Sequence, residues 1–306
     1  MAGYIGSKVV KALITLWLIF TVAFLAARIS GDAMDFIMPE GMNEEAREAM
    51  TSYLGLDKSW LEQYWLYVRN VFHGDLGTSF HFRQPVIDLY TQRFIPTLTL
   101  CGLAMLLSMA ISIPLGVIAA LKKNRPAGFL IQSAAFLGYA VPNFVLAILL
   151  ILVFSFHLGW LPSSGSDTMM HYIMPVTALA CTLIASLTRF SRSALLDVLS
   201  QDYIRTARAK GVGNFSVLTV HGLRNAMITI VTVLGLQVAA LVSGSVVIEN
   251  VFSWPGIGEL LVFAAIKRDY PLLQTGVILV GTIVIFINFI VDVVYVLIDP
   301  RIQPGS

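Results

Sequence analysis

Charge is scarce in this chain. Only 12% of its 306 residues are Asp, Glu, Lys or Arg, about half the share of a soluble globular protein, which excludes a disordered chain or a protein that coats nucleic acid. Cysteine is nearly absent. Cys101 and Cys181 both fall in apolar runs, with neither zinc spacing nor a disulfide framework, and read as small buried hydrophobes. The five histidines, His73, His81, His157, His171 and His221, form no H-x-x-x-H pair and no Cys/His cluster. Met169-Met170-His171 offers soft donors, but a metal site needs three or four convergent ligands, so a loop packing on a membrane surface is the expectation and no metal or cofactor is implied. No G-x-x-x-x-G-K-[ST] phosphate loop occurs, which excludes P-loop nucleotide hydrolysis by this chain.

What is abundant is apolar residue, 57% of the chain, and it is gathered into runs that approach or exceed the roughly 20 residues a helix needs to cross a bilayer. Six such runs lie at about 9–27, 94–121, 127–156, 173–187, 226–248 and 272–298. The expected fold is therefore an all-α polytopic membrane protein with six transmembrane helices. The first run begins with Lys8 and Lys11 and resembles a signal peptide. Its length and the lack of an A-x-A pattern before Arg28 argue for an uncleaved helix.

Basic residues orient the spans. Placing the N-terminus, 122–126, 188–225 and the C-terminal tail on one side gathers 12 of the 20 Lys and Arg with only Asp197, Asp202 and Asp299, a balance of +9. The other side holds 8 basic and 14 acidic residues, a balance of −6, and Asp292 stays in the membrane. The positive-inside rule then puts both termini in the cytoplasm, residues 28–93 outside and 188–225 inside.

In 28–93, Asn43 with Glu44, Glu45 and Glu48 predicts a short helix that Gly55 ends. Ser59 and Glu62 have the spacing of a capping box, followed by Leu61, Tyr64, Trp65, Val68 and Phe72 at helical period, a stripe that reads as packing or an interfacial belt. Between the last two spans, the turn Phe252-Ser253-Trp254-Pro255-Gly256-Ile257-Gly258 leads into an apolar stretch too short to cross, either a lining of the outer mouth or a hairpin cap.

Polar residues in the spans are few. Asn288, Asp292, Tyr295 and Asp299 share one face of the last helix, and a charge near the bilayer centre costs roughly 2.5–3.5 kcal/mol, so Asp292 is expected to face protein or water as a packing anchor or an ion relay. Gly235, Ala239 and Ser243, beside Ala240 and Gly244, repeat at the four-residue spacing that lets helices approach. Contact with another helix or subunit is expected there.

The 188–225 loop is the most informative stretch. Asp202 is placed to cap a short helix, Arg205, Arg208 and Lys210 suit its C-terminal end, and Gly211 suits the left-handed position beyond it. Asn214 is placed to cap a second helix through His221-Gly222-Leu223-Arg224-Asn225. The pattern predicts a basic helix–turn–helix projecting from the membrane, small at Ala207 and Gly211, the shape of a docking knob.

At this point the sequence resembles the permease subunits of binding-protein-dependent ABC importers, in the dipeptide/oligopeptide/nickel branch. The family's loop pattern appears as Arg205-Thr206-Ala207-Arg208-Ala209-Lys210-Gly211, followed by His221 to Ala226. The likeness continues in Val251-Phe252-Ser253-Trp254-Pro255-Gly256, Asp269-Tyr270-Pro271 and Asp299-Pro300-Arg301, and near the front in Gly31-Asp32 and Gly74-Asp75-Leu76-Gly77-Thr78-Ser79. The chain departs from the wider superfamily in carrying Arg205 for a Glu and Arg224 for a Pro, variation the branch itself shows, and Ala33 where Pro is common.

The resemblance implies a type I importer permease, one transmembrane domain over 1–306, in a bacterial inner membrane. Its implied partners are a second homologous permease, two cytoplasmic ATPase subunits and an extracytoplasmic solute-binding protein. Residues 202–211 would couple to the ATPase, with Ala207 at the contact. Di- or oligopeptides lead as cargo, then nickel, glutathione, opines or sugars. An ion-coupled secondary transporter is the competing class, and it would call for inverted repeats and several embedded ionisable groups, of which Asp292 alone is seen. The charge asymmetry yields a direct test. Cysteine placed at Ser59 reacts with an impermeant thiol reagent from outside and cysteine at Ser200 does not; the reverse pattern would sink the topology.

Overall fold

The computed structural model describes residues 2–29, 44–53 and 55–298. Gly31-Asp32, Ala33, Asn43 and Asp299-Pro300-Arg301, named above, lie outside the described residues, as do the side chains of Asp292 and Tyr295. Twelve helices follow in order among the described residues: α1 (Ala2–Ile29), α2 (Glu44–Tyr53), α3 (Trp60–Phe72), α4 (Val86–Leu121), α5 (Pro126–Ala140), α6 (Asn143–Leu150), α7 (Met169–Leu199), α8 (Asp202–Ala209), α9 (Asn214–Ser216), α10 (Arg224–Val251), α11 (Ile257–Ile266) and α12 (Tyr270–Ile298). Two π-helical stretches, Ile151–His157 and Val217–Leu223, continue α6 and join α9 to α10. Every expected span is helical. Five helices are long and apolar enough to cross a membrane, and a sixth crossing is made if the bent pair at 126–157 counts as one.

That bend is the main departure from the expected straight third span. Pro126–Ala140 and Asn143–His157 meet at 96°. Pro142 has no N–H to continue the ladder, and its ring forces Val141 out of the helical region, to φ −83°, ψ 121°. The Thr182 hydroxyl of α7 donates to Asn143 Oδ1 at the break. The fourth span also runs longer than expected, because Arg189 and Arg192 lie inside α7 rather than beyond it.

The described residues divide into two compact units, one drawn from Met1–Thr97 and Pro255–Ile285, the other from Leu98–Trp254 and Phe286–Gln303. In the first, Val86, Tyr90, Ile257, Leu260, Ala264 and Leu272 form the core. Asp269 carries much of its polar order. Its Oδ1 accepts from the Leu272 N–H at 3.3 Å, capping α12, while Oδ2 accepts from Ser79 Oγ at 2.5 Å and the His81 N–H at 3.0 Å. Two motifs separate in sequence, Gly74 to Ser79 and Asp269 to Pro271, thus meet in space. Gly77 at φ +81° comes so near that a Cβ there would sit 3.3 Å from Pro271.

In the second unit α7 is the central helix, burying Met174, Ala178, Leu179, Leu183, Leu187 and Leu195 among others. Phe252 and Trp254 are fully buried in the same cluster as Leu100 and Met174, with the Trp254 ring edge-on to Tyr172 at 4.6 Å. The 252–254 turn is therefore a plug in the core. Gln237 of α10 donates to Ser186 Oγ of α7 at 2.8 Å.

Glycine sets a close helix contact. A Cβ at Gly116 of α4 would lie 2.5 Å from Ser191 Cβ and 3.0 Å from the Thr188 carbonyl of α7, whereas at Gly102 it would meet nothing within 4 Å. Overpacking of this kind costs typically 1–3 kcal/mol. Gly116→Leu is expected to lower the yield of monodisperse detergent-extracted protein and its melting temperature, with Gly102→Leu near wild type; equal behaviour of the two would refute the tight α4–α7 contact.

Candidate functional site

The loop between α7 and α10 folds as a clamped helix. α8 starts at Asp202, but Gln201 occupies the N-cap and makes no side-chain cap. The expected Asp202 cap is one residue off. Asp202 is the first helical residue, where its charge still suits the helix dipole, and its Oδ1 accepts from Arg205 Nη1 at 3.4 Å. Both groups are well exposed, so this pair contributes only about 0–1 kcal/mol. The Thr206 hydroxyl donates back to the Asp202 carbonyl at 3.1 Å.

The C-terminal end is firmer. The Val212 N–H donates to the Ala207 carbonyl at 3.1 Å and the Gly211 N–H to the Arg208 carbonyl at 3.0 Å, the two bonds of a Schellman closure, with Gly211 at φ +80° in the position that favours glycine. Below it, Ile204, Ala207 and Val217 are buried together with Leu199 and Val212 packed around them. Ala207 is turned inward against its own chain, which corrects the expectation that it forms the outer contact. Its small size serves the close approach of α8 to Val217.

Exposed on the far side are Asp202, Tyr203, Arg205, Thr206, Arg208, Ala209, Lys210 and Gly211. Phe215, a position the sequence reading did not single out, is 80% exposed beside them. Asn214 opens α9 instead of capping it, because Gly213 holds the N-cap. The π-helical 217–223 stretch then turns Gly222 onto α7, where a Cβ would come 3.3 Å from Leu199 and 3.4 Å from Leu195. The loop helix is thus seated by apolar contacts on Leu199 at the end of α7 and on Val217 in the π-helical stretch that leads into α10.

The other singled-out residues do not converge on one site. A Cβ added at Gly235 would lie 2.8 Å from Val291 of α12, and one at Gly244 would lie 3.6 Å from Leu179 of α7. Both glycines meet another helix of this chain, the first of the two expected neighbours. Ala239 is half-buried and Ser243 exposed. Asn288 is exposed on α12. Glu249, assigned from sequence to the outer side, is fully buried at the end of α10. The signal for it was available in the four apolar or small residues that precede it in the same helix.

Residues 112–304 match the family described as binding-protein-dependent transport system inner membrane component. Over 304 residues the chain is 41% identical to the glutathione transport system permease protein GsiC of Escherichia coli O6:H1, covering 99% of each, and to GsiC of Shigella flexneri serotype 5b at the same identity and coverage. Among solved structures, the inward-facing MetNI methionine ABC transporter aligns with a TM-score of 0.61 at 18% identity over 70% of this chain and 98% of that one. An amino acid ABC transporter with histidines aligns with a TM-score of 0.52 at 18% identity over 71% and 95%. Those structures speak for the fold, and the family match with the 41% relatives speaks for the rest: the chain belongs to the binding-protein-dependent ABC importers, as a multi-pass inner-membrane permease of the type I fold.

Proposed function

We propose that this chain pairs with a second, homologous permease to form the path for a small peptide-like solute, delivered by an extracytoplasmic solute-binding protein and driven by two separate cytoplasmic ATPase subunits. The chain acts as one permease domain over residues 1–306, with 28–93 outside and 188–225 and both termini in the cytoplasm. The observation that carries this reading is the clamped α8. Its exposed face carries Tyr203, Arg205 and Arg208, followed along the chain by exposed Lys210 and, in α9, exposed Phe215, while its buried face, Ile204 and Ala207, packs with Val217 and Leu199. A push on α8 passes through that apolar seat to the end of α7 and to the π-helical stretch that leads into α10. Alternating access needs such a rigid link between the ATPase and a bistable helix bundle.

For the second permease, α10 offers Leu236, Ala240, Ser243 and Val247, exposed at i, i+4, i+7 and i+11. Small residues at its middle suit close helix approach. Gly235 and Gly244 lie half-buried beside it, close to Val291 and Leu179 of this chain.

The relatives named as glutathione permeases favour a small peptide as cargo, with glutathione, itself a tripeptide, as one candidate beside di- and oligopeptides. Nickel, opines and sugars are the alternatives. Mass spectrometry of the small molecule retained by the co-purified binding protein separates them, and a retained sugar or bare nickel would overturn the peptide reading.

The coupling role has its own test. Gly211→Val places a β-branched residue at positive φ, a strain of about 1–3 kcal/mol, and Arg208→Glu with Phe215→Ala alters the exposed face without touching the seat. Membrane abundance should hold while ATP-driven uptake falls by about 5–150-fold, the range of a 1–3 kcal/mol coupling loss. Ala207→Trp is unsuited, since it would break the internal seat. Normal uptake by both variants at normal abundance would contradict the coupling role.

A further inference from the structure

Helix α3 has three distinct sides. Inward, Gln63 is buried, donating to the Leu56 and Lys58 carbonyls at 3.2 and 2.7 Å, and Tyr64 and Tyr67 pack on α1. A second side carries Leu61, Trp65 and Phe72, which are 68%, 63% and 85% exposed. A third carries Glu62, Arg69 and His73, all exposed. At about 100° per residue, Leu61, Trp65 and Phe72 form one stripe, and the charged stripe lies about 80° further round. The sequence alone leaves that apolar stripe as packing or a belt; the structure removes packing within this chain, because none of these three side chains is covered by it.

The depth of α3 is set by its contacts. Tyr64 meets Phe24 edge-on at 5.4 Å and its hydroxyl lies 2.9 Å from Thr21 Oγ1. Tyr67 meets Phe20 at 5.9 Å and Phe24 at 6.0 Å. One turn of α3 thus packs on the turn of α1 from Phe20 to Phe24. The apolar window of α1 runs over Lys8–Ala26, and at 1.5 Å per residue Phe20 and Phe24 lie about 9 and 3 Å inside its end. An interfacial helix sinks roughly 5–10 Å into the boundary between headgroups and acyl chains. Leu18 and Val22 of α1, at the same level, are themselves exposed on a helix that spans the membrane, so the uncovered stripe of α3 continues an apolar surface already in lipid.

We propose that α3 is an interfacial anchor lying in the bilayer surface, with Leu61, Trp65 and Phe72 against acyl chains and Glu62, Arg69 and His73 toward water. Trp65 sits where an amphipathic ring is favoured at that boundary. The anchor holds α1, which is poorly covered by its own unit, at fixed depth through Tyr64 and Tyr67.

The test uses the full importer complex in phosphatidylcholine–phosphatidylglycerol vesicles, with Cys101 and Cys181 replaced by Ala and single nitroxide-labelled cysteines at Trp65, Phe72, Arg69 or His73. The ratio of oxygen to nickel-chelate collision rates reports immersion in lipid. Labels at 65 and 72 should give a ratio several-fold above those at 69 and 73. If Trp65→Cys does not assemble, Leu61→Cys reads the same stripe. Equal ratios at all four sites would overturn the proposal. So would labels at 65 and 72 that are water-exposed alone and become shielded only when the solute-binding protein is added, which would make the stripe a protein-docking face.

Discussion

A bilayer core offers the backbone no hydrogen-bonding partner, and an unsatisfied peptide group there costs several kcal/mol. Several breaks among the described helices are arranged around that constraint. Where α5 stops at Val141 and Pro142, the chain turns by 96°, and the side chain of Asn143 is engaged by Thr182 of α7. Where α10 ends, the Trp254 N–H returns to the Glu249 carbonyl at 2.8 Å and the Phe252 carbonyl accepts from the Gly165 N–H at 2.9 Å, so the turn is sealed while Phe252 and Trp254 fill the core. The start of α12 is closed by Asp269 in the same spirit. Breaks in the helices are thus located where the protein itself supplies partners.

The same economy holds the 202–211 loop in one geometry. A solvated connector would bend under load. Here the Schellman closure at Gly211 fixes the end of α8, and Ile204, Ala207 and Val217 fix its underside. The π-helical 217–223 stretch, a geometry that recurs at functional sites, brings Gly222 against Leu195 and Leu199. The basic outer face is thus backed by apolar contacts to the end of α7 and to the stretch that leads into α10.

The helical fold was legible because hydropathy reports length in the membrane directly, and all six apolar runs became helices. The bend in the third was not, although Val141-Pro142 stood in plain view: proline counts as apolar in a hydropathy sum, which is blind to backbone geometry. The fourth run, 173–187, stops before Arg189, yet α7 carries Arg189 and Arg192 onward, since a charge marks the membrane edge and not the helix end. Small residues were read correctly as sites of close approach at Gly235 and Ala207, but spacing does not name the neighbour. In both cases it is this chain, Val291 in one and Val217 in the other. Gly211, by contrast, was readable, because the Lys-Gly end of a basic helix has one favourable backbone solution.

The central claim is that transport through this permease is driven by ATP acting from the cytoplasmic side. The direct measurement is uptake into proteoliposomes carrying the complete importer, with binding protein and candidate peptides outside and ATP either enclosed or omitted. The account predicts accumulation only with enclosed ATP and no loss on adding proton or sodium ionophores. Uptake that proceeds without ATP and collapses with an ionophore would contradict it and make the chain an ion-coupled carrier.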